Sequence, residues 1–152
     1  MYVISEHLLD NGSIEILDLS VNEIGVEGCI AIEKYLTSAK CILKKLYLSS
    51  NRAGDLGAKS MAVALEVNKS LQVLAFNYNL VNDIGLCYIA EGVANNTSLR
   101  VLTLFGNNFA QKSMGMYNKF QAERKSWLTD FSIYIIDGHF DMTQDIIDIS
   151  TK

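Results

Sequence analysis

The chain has 152 residues, of which 49% are hydrophobic and 20% are charged, and its formal net charge is −4. This length suits one domain, and the composition is ordinary for a folded globular protein. The sequence has no uninterrupted run of roughly 18 apolar residues, so no membrane-spanning helix is predicted. The mild acidity disfavours nucleic acid as a partner, because nucleic-acid binding draws on clustered Lys and Arg.

Cysteines and the first residues bear on the cellular compartment. The chain has three cysteines, Cys29, Cys41 and Cys87. An odd number without CxxC spacing favours reduced thiols over a disulfide frame or a zinc site. The first residues do not read as a secretory signal, so we expect a cytoplasmic protein. We therefore interpret the glycosylation-type triplets at Asn11, Asn68 and Asn96 as ordinary loop residues.

Four segments share one pattern, apolar-x-x-Leu-x-apolar-x-x-Asn, in which x stands for any residue. They are Ile14–Asn22, Leu43–Asn51, Leu71–Asn79 and Leu99–Asn107. Their central leucines recur with a near-constant period of about 28 residues, which predicts a stack of structural repeats. The middle of each copy is predicted to be a short strand, because alternate side chains then point together into a shared core.

Residues 1–13 match the end of a repeat. Leu8 precedes Leu17 by nine residues, as Leu65 precedes Leu74. This segment is therefore equivalent to the second half of the helix in each later repeat. We predict a partial first repeat here, followed by four repeats that start near residues 14, 43, 71 and 99. The strand near residue 14 would have an open edge, which either further repeats or a partner protein would cover.

Each copy ends in an asparagine at the point where the chain must turn. These residues are Asn22, Asn51, Asn79 and Asn107. A buried amide is costly unless it is hydrogen-bonded, and asparagine offers donors and an acceptor to the loops above and below it. We therefore predict a structural ladder of asparagines. Apolar residues at helical spacing follow, so each repeat is predicted to continue as a helix, with Gly28, Gly57 and Gly85 close to the strand layer.

The fourth repeat and the segment after it depart from this pattern. Ser113 stands where earlier repeats have glycine, and the helix around it is more polar and more aromatic, as a capping unit needs. Two β-prone runs, 131–136 and 139–142, flank Asp137-Gly138 and predict a hairpin that covers the last repeat. Its expected packing residues are Trp127, Phe131 and Tyr134.

The run L-x-x-L-x-L-x-x-N, followed in successive repeats by a glycine-bearing helix, resembles the ribonuclease-inhibitor class of leucine-rich repeat proteins over about residues 1–121. The resemblance implies an α/β fold: a right-handed solenoid with parallel strands on the concave face and helices on the convex face. We place the repeats at residues 1–127 and a C-terminal capping hairpin and tail at 128–152. The aromatic-Ile-Ile-Asp-Gly segment also resembles the closing segment of leucine-rich repeat proteins of ciliated cells.

Outward-facing strand positions would line the concave face in columns, and an apolar and aromatic group lies toward their C-terminal end. Exposed groups of this kind mark protein contacts. We predict a protein-binding surface at Tyr47, Val73, Asn77, Tyr78, Val101, Thr103 and Phe105. The alternative is that valine in these columns simply suits a strand.

Catalysis is not expected from this sequence. His7 and His139, its two histidines, would lie at opposite ends of the stack, and no phosphate-binding or metal-binding motif is present. We expect no cofactor, metal, small-molecule substrate or membrane. Protein partners would bind the concave face and the open N-terminal edge.

Two functional classes stay open. The first is a non-catalytic protein-binding scaffold, a part of a larger intracellular assembly such as a ciliary or cytoskeletal one. The second is a regulator of an enzyme, either a nuclease inhibitor or a protein that resembles GTPase activators. Asp18 is the single acid in the concave columns, which counts against an inhibitor of basic nucleases.

Overall fold

The structure is a computed structural model that describes residues 7–123, 128–136 and 139–145. Strands and helices alternate along the repeats. Their bounds are β1 (Ile16–Asp18), α1 (Gly25–Leu36), β2 (Lys45–Tyr47), α2 (Gly54–Val67), β3 (Val73–Ala75), α3 (Asp83–Ala94), β4 (Val101–Thr103) and α4 (Gln111–Glu123). Three strands follow, β5 (Leu128–Thr129), β6 (Phe131–Ile136) and β7 (His139–Gln144).

One parallel sheet runs through the described part of the chain in the order β1, β2, β3, β4, β5. The central leucines are direct neighbours across it, because Leu17 pairs with Leu46, Leu46 with Leu74, and Leu74 with Leu102. Residues one repeat apart in sequence are therefore one strand apart in space. The predicted α/β repeat solenoid is confirmed.

The hydrophobic core lies between this sheet and the helices. The strand leucines Leu46, Leu74 and Leu102 are fully buried, and so are Met61 and Ile89 from the helices that face them. Burying a leucine side chain stabilises the fold by about 2 kcal/mol. No helix in the described residues combines the length and the apolar character that a membrane crossing requires.

The helix glycines have a different neighbour from the one that the sequence suggests. A Cβ atom on Gly85 would lie 2.9 Å from the Cα of Asp55, at the start of the preceding helix. A Cβ on Gly57 would lie 3.0 Å from the Sγ of Cys29, also in the preceding helix. The expectation that these glycines relieve crowding against the strand layer is therefore wrong. They allow neighbouring helices to pack closely side by side.

The last helix closes the core with a larger side chain. Tyr117 is buried in α4 and donates a hydrogen bond to the carbonyl of Leu86 in α3 at 3.0 Å. Its ring makes edge-to-face contacts with Phe109 and Phe120. Ser113, which replaces the glycine of earlier repeats, is also buried and donates its N–H to Asp83 at 3.0 Å.

The segment after α4 continues the sheet and then folds back on itself. Strand β5 pairs in parallel with β4, and β6 pairs antiparallel with β7 with Ile136 opposite His139. Both strands of this hairpin pack against α4, and Met142 of β7 is half-buried against the core. Trp127, Asp137 and Gly138, and the side chains of Phe131 and Tyr134, lie outside the described residues.

Candidate protein-binding surface

The loop asparagines tie each repeat to the one before it. Asn79 donates from Nδ2 to the carbonyl of Leu48 at 2.9 Å, and its Oδ1 accepts from the N–H of Asn51 at 3.1 Å. Asn107 repeats the arrangement one unit later, because it donates to Phe76 O at 3.0 Å and accepts from Asn79 N at 2.9 Å. These bonds stiffen the turns that carry the concave face.

Asn22 lies at the N-terminal edge and behaves differently. It is exposed, and its Nδ2 donates within its own turn, to Leu19 O at 2.9 Å and Ser20 O at 3.0 Å. Among the described residues no repeat precedes it, so its Oδ1 has no loop N–H to accept from. At the same edge Leu17 and Leu19 are half-buried, whereas the equivalent Leu46 is fully buried.

A second asparagine ladder joins the other ends of the repeats, and the sequence reading missed it. Asn68 accepts from Leu71 N at 2.7 Å and donates to Leu36 O at 2.8 Å, at the end of the preceding helix. Asn96 does the same with Leu99 N and Leu65 O, both at 2.7 Å. Both side chains are buried. They are structural residues, and the recurrence of Asn-x-Ser-Leu at the same phase of successive repeats was the signal.

The concave columns are open at their N-terminal end and closed at their C-terminal end. In the first column the exposed fraction falls from 58% at Ile16 to 1% at Val73 and 2% at Val101. Thr103, in the next column, is 2% exposed. The expectation that Val73, Val101 and Thr103 lie on an accessible apolar surface is therefore wrong for this conformation. Tyr47 remains half-buried.

Asp130 explains how the sheet ends. In the third repeat the N–H of Phe76 donates to the carbonyl of Thr103 on the next strand at 2.9 Å. One repeat later the N–H of Leu104 donates instead to the side chain of Asp130 at 2.8 Å. The carboxylate of Asp130, directly after the short β5, thus takes the place of the backbone carbonyl that a longer β5 would present. It is 5% exposed, and its other oxygen accepts from Asn77 Nδ2 at 2.8 Å.

Asp130 also makes a contact that the repeat pattern does not predict. Its hydrogen bonds with Asn77 and Leu104 place the residue after β5 beside Asn77, an outward residue of the concave columns. Burial raises the pKa of the Asp130 carboxyl, and the N–H groups of Leu104 and Phe105 and the Asn77 amide oppose that shift. Within the described residues, the buried Oδ1 of Asn77 and Oγ1 of Thr103 have no hydrogen-bond partner.

An aromatic pair remains accessible beside the closed columns. Tyr78 is 53% exposed and meets the half-buried ring of Phe105 edge to face, with 6.3 Å between the ring centroids. The ring of Tyr78 lies directly over Gly106, where any Cβ atom would collide with it. Glycine is needed there for a second reason, since its φ is +77°. Only glycine at position 106 leaves room for the ring of Tyr78.

Comparison with known proteins identifies the repeats. A family profile described as "Leucine Rich repeat" matches residues 10–32 and 39–62. The chain is 35% identical over 83 residues to "NACHT, LRR and PYD domains-containing protein 12" of Homo sapiens, a match that covers 55% of this chain and 8% of that protein. It is 30% identical over 102 residues to "RAN GTPase-activating protein 2" of Arabidopsis thaliana, covering 66% of this chain and 18% of that protein.

Further comparisons agree on the fold. The chain is 29% identical over 91 residues to "Capping protein, Arp2/3 and myosin-I linker protein 3" of Homo sapiens, covering 60% of this chain and 6% of that protein. A solved structure titled "Leiomodin-1 Actin-Binding Site 2 (ABS2)" superposes with a TM-score of 0.70 at 20% identity, covering 82% of this chain and 74% of that chain. The chain thus spans less than a fifth of each of these three relatives. Its strand-and-helix units are leucine-rich repeats.

Proposed function

We propose that the chain is a non-catalytic protein-binding scaffold that contributes leucine-rich repeats to a larger intracellular assembly. The observation that carries this proposal is a set of side chains held outward on a stiff, hydrogen-bonded stack. Ile16 is 58% exposed and Tyr78 is 53% exposed, and Lys45 and Tyr47 are half-buried. We call these four residues the concave surface. Anchors on a rigid frame lose little conformational entropy on binding, which suits protein recognition.

The N-terminal edge is the second part of the proposed interface. Strand β1 pairs with β2 on one side, and no other strand of the described residues pairs with it. An unpaired strand edge is a template for another strand, and the half-buried Leu17 and Leu19 there would gain burial. A protein partner that covers this edge would also supply N–H donors to Asn22.

We propose a cytoskeletal setting, and the names of similar proteins support it. The names of two similar proteins refer to actin binding and to capping protein, Arp2/3 and myosin-I. The resemblance of the closing segment to leucine-rich repeat proteins of ciliated cells points the same way. We therefore place the chain in the cytoplasm, in a cytoskeletal or ciliary assembly.

Regulation of an enzyme is the second candidate, and the similarity to RAN GTPase-activating protein 2 favours it over nuclease inhibition. Activation of a GTPase commonly uses an arginine or asparagine placed near the nucleotide. Arg52 is exposed on a loop, although it is ion-paired with Glu23 at 3.1 Å. Asp18 is the single acid in the concave columns, which disfavours an inhibitor of basic nucleases.

Affinity purification with the purified chain as bait, followed by identification of the bound proteins, tests the scaffold proposal. The double variant Ile16→Ala with Tyr78→Ala should weaken the main interaction at least about fivefold while the melting temperature stays near wild type. Val63→Ala, on the outer side of α2 and 43% exposed, is the matched control. Unchanged affinity of the double variant would refute a concave contact, and recovery of a single GTPase or nuclease would favour the regulator.

A further inference from the structure

Three large apolar side chains are exposed where the strands lead into the helices. Leu56 in the first turn of α2 is 64% exposed, Leu80 in the loop before α3 is 62% exposed, and Ile84 in the first turn of α3 is 54% exposed. We call these three residues the loop-edge surface. Leu56 and Ile84 occupy equivalent positions of neighbouring repeats. This surface shares no residue with the concave surface.

Hydrogen bonds between loops hold these side chains in place. Asp55, next to Leu56, accepts from both the backbone N–H of Asn82 at 2.7 Å and its side-chain amide at 3.2 Å. Asn108 in the fourth repeat donates in turn to Asn82 Oδ1 at 3.0 Å. Three successive repeats are thus fastened together at their exposed edge. A preorganised surface loses less entropy when a partner binds.

The backbone at Leu80 allows a direct test of its side chain. Its φ of +59° lies in the left-handed region, which is uncommon for a bulky residue. Glycine at this position would relieve the strain. The leucine side chain is exposed, so its burial does not compensate for the strain. The equivalent residue of the preceding repeat, Arg52, has a φ of +56°, so this turn recurs between repeats and Leu80→Gly changes the side chain without disturbing it.

Charges flank the loop-edge surface with opposite sign. The position of Leu56 and Ile84 is occupied by Glu27 in the first full repeat and by Lys112 in the fourth, and both are exposed. The surface is therefore apolar in its centre, acidic at one end and basic at the other. A complementary partner carries basic groups at one end and acidic groups at the other.

From this arrangement we propose that the loop-edge surface binds an amphipathic helix of a partner protein. Neighbouring packed helices lie about 8–10 Å apart, and one heptad of a helix, about 10.5 Å long, spans the anchors Leu56 and Ile84. The helix lies with its basic C-terminal end over Glu27 and its acidic N-terminal end over Lys112. The helix macrodipole favours that distribution of charge.

A designed peptide tests this proposal directly. The probe is a stapled helix with leucines at heptad spacing, glutamates in its first turn and lysines in its last turn, and its binding to the full chain is measured by fluorescence anisotropy. We expect a dissociation constant below about 100 μM. Leu80→Gly removes an anchor and relieves the backbone, so it should fold and bind at least about tenfold more weakly.

Ser50→Gly is the matched control, because Ser50 also has a left-handed backbone, with φ of +61°, and carries no apolar anchor. It should bind within about twofold of wild type. Absence of binding to wild type, equal binding by Leu80→Gly, or equal binding of a peptide with its charged ends exchanged would each overturn the proposal. Self-association that Leu80→Gly abolishes would assign the surface to a second copy of the chain instead.

Discussion

Replacement of Asp130 tests how much the carboxylate that follows β5 stabilises the C-terminal end of the stack. Asp130→Ala removes the acceptor for the N–H of Leu104 at 2.8 Å, the N–H of Phe105 at 3.2 Å and the amide of Asn77 at 2.8 Å. A buried donor left without a partner costs about 1–3 kcal/mol, and the variant also relieves the desolvation of a buried charge. We expect a net loss of about 2–4 kcal/mol in the free energy of unfolding.

Asp130→Asn is the matched control. Its carbonyl oxygen still accepts from Leu104. Its amide replaces the oxygen that accepts from Asn77 Nδ2, so the Asn77 amide must turn over and present Oδ1, which is buried and has no partner within the described residues. We therefore expect a change below about 1 kcal/mol at neutral pH. Urea unfolding gives the free energies, and amide hydrogen exchange at Leu104 and Phe105 shows whether the loss starts at the C-terminal end of the stack.

The pH dependence of the same pair has a definite sign. Burial raises the pKa of the Asp130 carboxyl above its ordinary value of 3.8, so the folded state holds the proton more tightly than the unfolded state does. The stability that this group contributes is present below that value and is lost as pH rises through the folded pKa. The free energy of unfolding of wild type should therefore fall relative to that of Asp130→Asn as pH rises from below 3.8 through the folded pKa of Asp130. An Asp130→Ala variant as stable as wild type, or no pH dependence of this difference, would refute the reasoning.

Four further substitutions probe the stack. Asn79→Ala leaves the buried N–H groups of Asn51 and Ala53 without a side-chain acceptor and removes one of the two hydrogen bonds to the carbonyl of Leu48. It should cost about 3–5 kcal/mol by urea unfolding, whereas Asn22→Ala, at the exposed edge, should cost below about 1 kcal/mol. Equal costs would contradict the ladder. Gly92→Ala drives a methyl group into the backbone of Ala62, and its melting curve should show a loss of about 2–4 kcal/mol. Val21→Gly relieves a φ of +56° and should raise stability by about 0.5–1 kcal/mol in the same assay; a destabilised variant would show that this turn is not strained.

The candidate surfaces were only partly predictable. Tyr78 and Phe105 were singled out from their phase within the repeat, and the structure finds them paired and at least partly accessible. Leu56, Leu80 and Ile84 were not, because the helix pattern identifies buried positions and gives no sign of which outer residues form one surface. Their grouping depends on hydrogen bonds between the loops of neighbouring repeats, such as that from Asn82 to Asp55.

The sequence by itself determined the period, the strand positions and the loop asparagines. Each of these arises from a local pattern that recurs once in every repeat, and stacking the copies in phase satisfies all of them together. The tertiary structure alone decided which concave residues are accessible. Val73 and Val101 stand at outward positions of their strands, yet both are buried. A single aspartate after the last repeat belongs to no period, so its role depends on where the folded chain brings its carboxylate.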